Sequence, residues 1–124
     1  MIPAHIARVI TLELPIRTGA GLNDRLHWAA RAAKVKLQRQ QVGLVVKSKR
    51  PLPFPAVITL TRLSPGTLDD DNLLGALKAI RDGVADAFQL PDNHCGLTWC
   101  YGQEKYKRGA YAVRIEIEEA REVA

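Results

Sequence analysis

Apolar and polar positions alternate along residues 8–14, Arg-Val-Ile-Thr-Leu-Glu-Leu. Ile10, Leu12 and Leu14 share one side, the period-two pattern of a half-buried strand. Pro15 stops it, and the Pro- and Gly-bearing stretch 15–23 predicts a loop in which Asn23 or Asp24 can cap the next element. The period then changes. To about Lys47, Leu26, Ala30, Ala33, Leu37, Leu44 and Val45 recur at helical spacing, while Arg25, Arg31, Lys34, Lys36 and Arg39 occupy the other faces. This predicts a long helix, basic on its exposed side. Pro51, Pro53 and Pro55 remove backbone donors and force extended conformations, so 49–55 reads as a short rigid connector. Residues 56–63, rich in β-branched side chains, predict a second strand, and Ser64-Pro65-Gly66 turns the chain. A second helix over about 72–88 gathers Leu73, Leu77, Ile80, Val84, Ala87 and Phe88 into one arc of about 100°. Residues 97–104 and 110–118 alternate again, through Trp99, Tyr101, Tyr111, Val113, Ile115 and Ile117. Lys107-Arg108-Gly109 between them predicts the turn of an antiparallel hairpin.

Two early strands around a helix, then a second helix and a late hairpin, predict an α+β fold. The expectation is a mixed β-sheet of about four strands packed with two main helices, in a single domain over 1–124. A chain of 124 residues, 47% of them hydrophobic, suits one core. No run of about 18 apolar residues occurs, and residues 1–8 lack the basic, apolar and small order of a secretory signal. A soluble cytoplasmic protein with no membrane partner is expected.

Charge sharpens this outline. The formal net charge is +5, but residues 1–50 hold ten Lys or Arg against only Glu13 and Asp24. That basic half suits a polyanion as partner. Over 65–98 the sign reverses: Asp69, Asp70, Asp71, Asp82, Asp86 and Asp92 stand against Lys78 and Arg81. His94 and Cys95 with Cys100 give the spacing H-C-x4-C, which matches none of the usual zinc patterns. Two reduced, partly buried thiols are expected instead.

The run Asp69-Asp70-Asp71-Asn72, where strand gives way to helix, concentrates three carboxylates on a basic chain. Hard divalent cations take such oxygen ligands, so a magnesium or manganese site is one expectation; a helix cap is the other. Asp69 and Asp71 can share an ion only if the chain is extended through Asp69 and helical from about Asp71, with Asp70 facing away. Gly75, Lys78 and Asp82 stack within about 20° of Asp71, and Lys78 can lean back toward the carboxylates. Asp82 lies about 16 Å up the axis, too far to join the same ion. It and Asp86 read as solvated helix residues.

The pattern Asp69-x-Asp71-Asn72-Leu73, then Lys78, Asp82-Gly83-Val84-Ala85-Asp86 and Leu90-x-Asp92, followed by Trp99…Tyr101-Gly102-Gln103-x-Lys105, resembles the RusA family of Holliday junction endonucleases, common in prophages. The early Leu14-Pro15…Asn23…Leu26-His27-Trp28 stretch is similar to the family's opening, so the likeness spans nearly the whole chain. It implies Asp69, Asp71 and Asp92 as metal-binding catalytic carboxylates. It also implies a homodimer that cuts branched DNA, four-way junctions above all, by Mg²⁺-dependent hydrolysis in recombination and repair, with Mn²⁺ a substitute. The family's better-known pattern has a lysine four residues after the second Asp. Gly75 stands there, and Lys78, one turn later on the same stripe, is the candidate catalytic substitute.

A helix of about 17 residues carries the chain roughly 25 Å from Asp71 before Asp92 appears. Either the helix breaks near Gly83, or Asp92 acts from the partner subunit; the second is preferred. Candidate DNA-backbone contacts are Arg25, Arg31, Lys34, Lys105, Lys107 and Arg108. Two other functions are open to the sequence. One is a branched-DNA-binding module of prophage origin that does not cut, Gly75 marking lost catalysis. The other is a structural protein whose Asp run only caps a helix.

Overall fold

The structure, a computed structural model, describes residues 8–18 and 28–120. Its elements run β1 (Val9–Leu14), α1 (Trp28–Lys47), β2 (Ala56–Ser64), α2 (Asp70–Phe88), β3 (Leu97–Lys105) and β4 (Ala112–Glu119). The α+β expectation holds: one four-stranded mixed sheet and two helices. Strand order is β1-β4-β2-β3. β4 is antiparallel to both β1 and β2, and β3 is parallel to β2. β2, α2 and β3 therefore form a βαβ unit, the helix supplying the long crossover that a parallel pair requires.

The expected hairpin does not form. β3 and β4 do not pair, because β2 lies between them and residues 106–111 step across its end. Period-two alternation fixes which face a strand buries, not which neighbour takes its hydrogen bonds. β2 is fully buried on one side, with Ala56, Ile58 and Leu60 at 0% exposure, and on the other is half-buried at Val57 and Thr59 and buried only toward its carboxyl end, at Thr61 (5%) and Leu63 (1%). Such a strand belongs at the centre of a sheet.

α2 covers one sheet face. Its Leu73, Leu77, Ile80, Val84 and Ala87, in the predicted arc, join Ile58, Leu60, Val113, Ile115 and Ile117 in the core. Ile10, Leu12 and Leu14 of β1 flank this core. Each fully buried Ile, Leu or Val contributes roughly 1.5–3 kcal/mol. No described element covers the opposite face, which carries Glu13, Glu104, Glu116 and Glu118 against Arg114.

α1 packs on α2 alone among these elements, and its buried stripe is Gln38, Val42 and Val46. The expected face through Leu37 and Leu44 is not the packed one; these side chains are 55% and 71% exposed. Apolar residues ring α1 almost evenly, so periodicity could not select a face. The contact with α2 does, at Gly83, where an added Cβ would lie 2.6 Å from the Arg39 carbonyl. Gly83 is thus the point where α1 is seated, and α2 continues unbroken through it, so the break near Gly83, the less favoured of the two alternatives, does not occur. Cys95 and Cys100 are free and exposed rather than partly buried, being on a loop and on the side of edge strand β3 that faces away from α2.

Candidate functional site

The carboxyl ends of β1, β2 and β3 and the start of β4 meet at one end of the sheet, as the registers Leu14 with Val113, Leu63 with Ala112 and Ser64 with Lys105 require. Ligands of open α/β sheets bind outside the carboxyl ends of the strands. The acidic run lies at this end. Asp69, Asp70 and Asp71 are all exposed, and Asp69 keeps extended backbone (φ −68°, ψ 168°) while the helix begins at Asp70. The Asp69 carboxylate accepts the Asn72 N–H at 2.9 Å, so it does cap α2, satisfying one orphan donor with one oxygen.

Gln103 holds the loop before this cap. Its Oε1 accepts the Leu68 N–H at 2.9 Å and its Nε2 donates to the Leu68 carbonyl at 2.7 Å, an amide pair that fixes both polar groups of one residue. Gln103 belongs to the row Trp99, Tyr101, Gln103 and Lys105 on the α2 side of edge strand β3. Gln103→Ala leaves both Leu68 groups without this partner and should cost about 1–2 kcal/mol. The Leu68 amide, followed by hydrogen exchange, should lose protection more than amides of β2.

Asp92 reaches the same row by a route absent from the sequence expectations. The chain reverses at Gln89, a non-glycine residue in the left-handed region (φ 59°, ψ 38°), whose N–H caps α2. It then runs back along the helix. The Asp92 carbonyl accepts Trp99 Nε1 at 2.7 Å, and its carboxylate meets Lys78 Nζ at 3.0 Å and Arg81 Nε at 2.8 Å. Arg81 is held in turn by the Tyr101 hydroxyl and lies 4.8 Å from the centroid of the Trp99 ring. Asp92 therefore sits beside the middle of α2, within a single chain. From Asp71 to Lys78 is about 10 Å along the helix axis, against the 25 Å expected for an outstretched chain.

Lys78 does not lean toward the acidic run. Its Nζ donates to Asp82 at 2.9 Å and to Asp92 at 3.0 Å, because those are the carboxylates its stem can reach. Asp82 and Asp86, expected as merely solvated, belong to this ion network: Arg39 of α1 pairs with Asp86 at 2.7 Å and reaches Asp82 at 4.0 Å. Among the described residues no group of three or more His, Cys, Asp or Glu is gathered to hold a metal. Asp69 and Asp71 suit a hard cation as oxygen donors. Asp92, engaged by two cations, does not join them within one chain.

The Asp92 carboxyl is held below the usual carboxylate range, first by the Lys78 hydrogen bond; burial works the other way, and the charges of Lys78 and Arg81 add to the fall. Asp86 is lowered likewise by Arg39. A depressed folded pKa contributes stability above the unfolded value of about 3.9 and loses it as pH falls through the folded value. Thermal unfolding should therefore vary little between pH 7 and about 5 on account of these groups and descend below about pH 4. In Asp92→Asn the descent should be shallower; an unchanged acid profile would contradict the pairing.

Lys105, Lys107 and Arg108, candidate DNA contacts, are exposed at the same end as the acidic run. Arg31 and Lys34 are half-buried on α1, whose Gln38 Nε2 donates to the Arg17 carbonyl at 3.1 Å. Arg25 and the helix start at Asn23 or Asp24 lie outside the described residues. The roles of Arg81, Trp99, Tyr101 and Gln103 were not assigned from sequence. The alternation of β3 put three of them on one face, but what that face meets depends on the returning chain.

No helix among the described residues is long and apolar enough to cross a membrane. No family model matches the chain. An uncharacterized protein of Xylella fastidiosa (strain Temecula1 / ATCC 700964) is 35% identical over 81 residues, covering 56% of this chain and 51% of that protein. The chain spans about half the length of this relative.

Proposed function

We propose that this protein is a Mg²⁺-dependent, structure-specific endodeoxyribonuclease acting on branched DNA, four-way junctions in particular, as its resemblance to the RusA family implies. One observation carries the proposal: exposed Asp69 and Asp71 share one end of the sheet with exposed Lys105, Lys107 and Arg108, while the sheet face that no described element covers is acidic and would repel a phosphate backbone. Carboxylates beside cations are what phosphodiester hydrolysis asks of a site. A divalent ion, when bound, would supply charge neutralisation and an activated water. The chain's own cations would hold the strand by its phosphates, which makes binding steeply salt-dependent.

In a homodimer, Asp92 of one subunit could complete the site of the other. Mixing Asp71→Asn subunits with Asp92→Asn subunits tests this: a shared site restores part of the cleavage, and no recovery eliminates it. One feature favours a second reading, a module that binds branched DNA without cutting. Asp92 is already neutralised by Lys78 and Arg81. Incubation with labelled junction, flap and linear duplex across a range of Mg²⁺ and Mn²⁺ separates the two. Cleavage of the junction supports the nuclease, and binding without nicking rules it out.

A further inference from the structure

Arg62, on β2, is a charged side chain buried at the functional end of the sheet, with only 7% of its surface exposed. Its Nε donates to Thr18 Oγ1 at 3.1 Å and its Nη1 to the Gly66 carbonyl at 3.2 Å, both neutral acceptors. Arg39, Lys78, Arg81 and Arg114 each meet an Asp or Glu, whereas among the described residues no carboxylate meets Arg62. Burial pulls its pKa below the ordinary arginine value; Tyr111 opposes the shift and the charge of Arg17 adds to it. Arg17 directly precedes Thr18, whose hydroxyl Arg62 bonds, and so places a second cation close by. Arg17 is exposed, and its guanidinium carbon lies 4.1 Å from the centroid of the Tyr111 ring.

Removing a guanidinium from water without a counter-ion is unfavourable, and a second cation beside it adds to the cost. Holding two loops together does not require a charge. An anion would offset both penalties. We infer that Arg17 and Arg62 form a receptor for a phosphate group, with the Tyr111 ring orienting the Arg17 guanidinium. The guanidinium fork matches phosphate oxygens, and weak solvation strengthens the attraction. The position fits a nucleic-acid strand: Gly66, which Arg62 touches, precedes Asp69 by three residues, at most about 10 Å of chain. A DNA strand carries a phosphate about every 3.4 Å of axis, so the receptor falls within about three nucleotides of the acidic run. The inference deepens the nucleic-acid reading and rests on it for the source of the phosphate; free phosphate would meet the same pair.

Nitrogen-15 spectra of the arginine Nε–H groups test this in EDTA, where no metal-dependent cleavage occurs. The full chain is titrated with a thymidine tetranucleotide, its uncharged methylphosphonate analogue, and inorganic phosphate. The tetranucleotide should shift Arg17 and Arg62 together and saturably, and the analogue should not. Arg17→Gln, at an exposed position, should weaken the tetranucleotide at least about threefold, as expected for loss of one phosphate contact, with Tm unchanged. Arg62→Met should weaken it further. Retention of wild-type Tm in Arg62→Met adds support, while a fall in Tm leaves Arg17→Gln and the spectra to decide. Shifts with inorganic phosphate but not the tetranucleotide would overturn the nucleic-acid source. Silence of Arg62 toward both, or wild-type binding by Arg17→Gln, would overturn the receptor and leave Arg62 as a loop staple. Because the tetranucleotide is not a junction, these outcomes are independent of whether the protein cuts one.

Discussion

Asp71→Asn is expected to lower cleavage of a four-way junction by at least about a hundredfold while leaving junction affinity within about twofold of wild type. Asp71 is exposed in the first turn of α2 and makes none of the ion pairs found among the described residues, so its loss should leave the fold intact. Asn keeps the shape of the side chain and removes the charge. Asp69→Asn is the companion variant: Asn caps helices about as well as Asp, so the bond to the Asn72 N–H survives while the carboxylate is lost. Both variants should lose turnover and keep their Tm. Single-turnover cleavage with binding measured by anisotropy in EDTA distinguishes the cases. Cleavage by Asp71→Asn within twofold of wild type would dismiss the acidic run as chemistry and leave only its capping role.

The sequence made the elements legible and concealed their neighbours. The α2 arc survives because Leu73, Leu77, Ile80 and Val84 face a single sheet, so periodicity and burial report the same surface. α1 has no such correspondence. Its apolar residues surround the helix, and the stripe that is buried is Gln38, Val42 and Val46, at a crossing set by the missing side chain of Gly83. Likewise β3 and β4 alternate correctly, yet their hairpin is replaced by a step across β2, since hydrogen-bonded partners at long range leave no periodic trace.

The candidate site divides the same way. Asp69 extended and Asp71 helical were both foreseeable from a strand-to-helix junction. The return of Asp92 was not, because it depends on one left-handed residue, Gln89, and on the Trp99 indole and Arg81 capturing the chain afterwards. A straight helix with no reversal after it would carry Asp92 away from the acidic run. The reversed chain brings it to the level of Lys78, and Lys78 turns toward it rather than toward the acidic run. The acidic run and the Asp92 cluster are thus two neighbouring electrostatic units joined by β3: Tyr101 holds Arg81, and Gln103, two residues or about 7 Å further along the strand, holds the loop before Asp69.

Gly83→Ala should be the most damaging single-methyl change in the helix pair. An added Cβ meets the Arg39 carbonyl at 2.6 Å and the Val42 Cβ at 2.8 Å, and neither a backbone oxygen nor a Cβ can rotate away. α1 must shift, pulling at Val42 and Val46 in the core and at the Arg39 pairing with Asp86. Overpacking of this kind costs about 1–3 kcal/mol and occasionally more. Exchanging Gly for Ala in a helix returns up to about 1 kcal/mol, so the net loss should be about 1–2 kcal/mol, a fall in Tm of several degrees. Gly83→Val, with two further methyls and poorer helix propensity, should lose more. Gly43→Ala is the control: its Cβ would stand 3.4 Å from the Gly83 carbonyl, so propensity should dominate and Tm should hold or rise. If the two alanine variants melt together, the close approach at Gly83 does not seat α1. If Gly83→Ala alone is destabilised, it should also weaken junction binding through displacement of Arg31 and Lys34, and that loss should shrink as salt is raised.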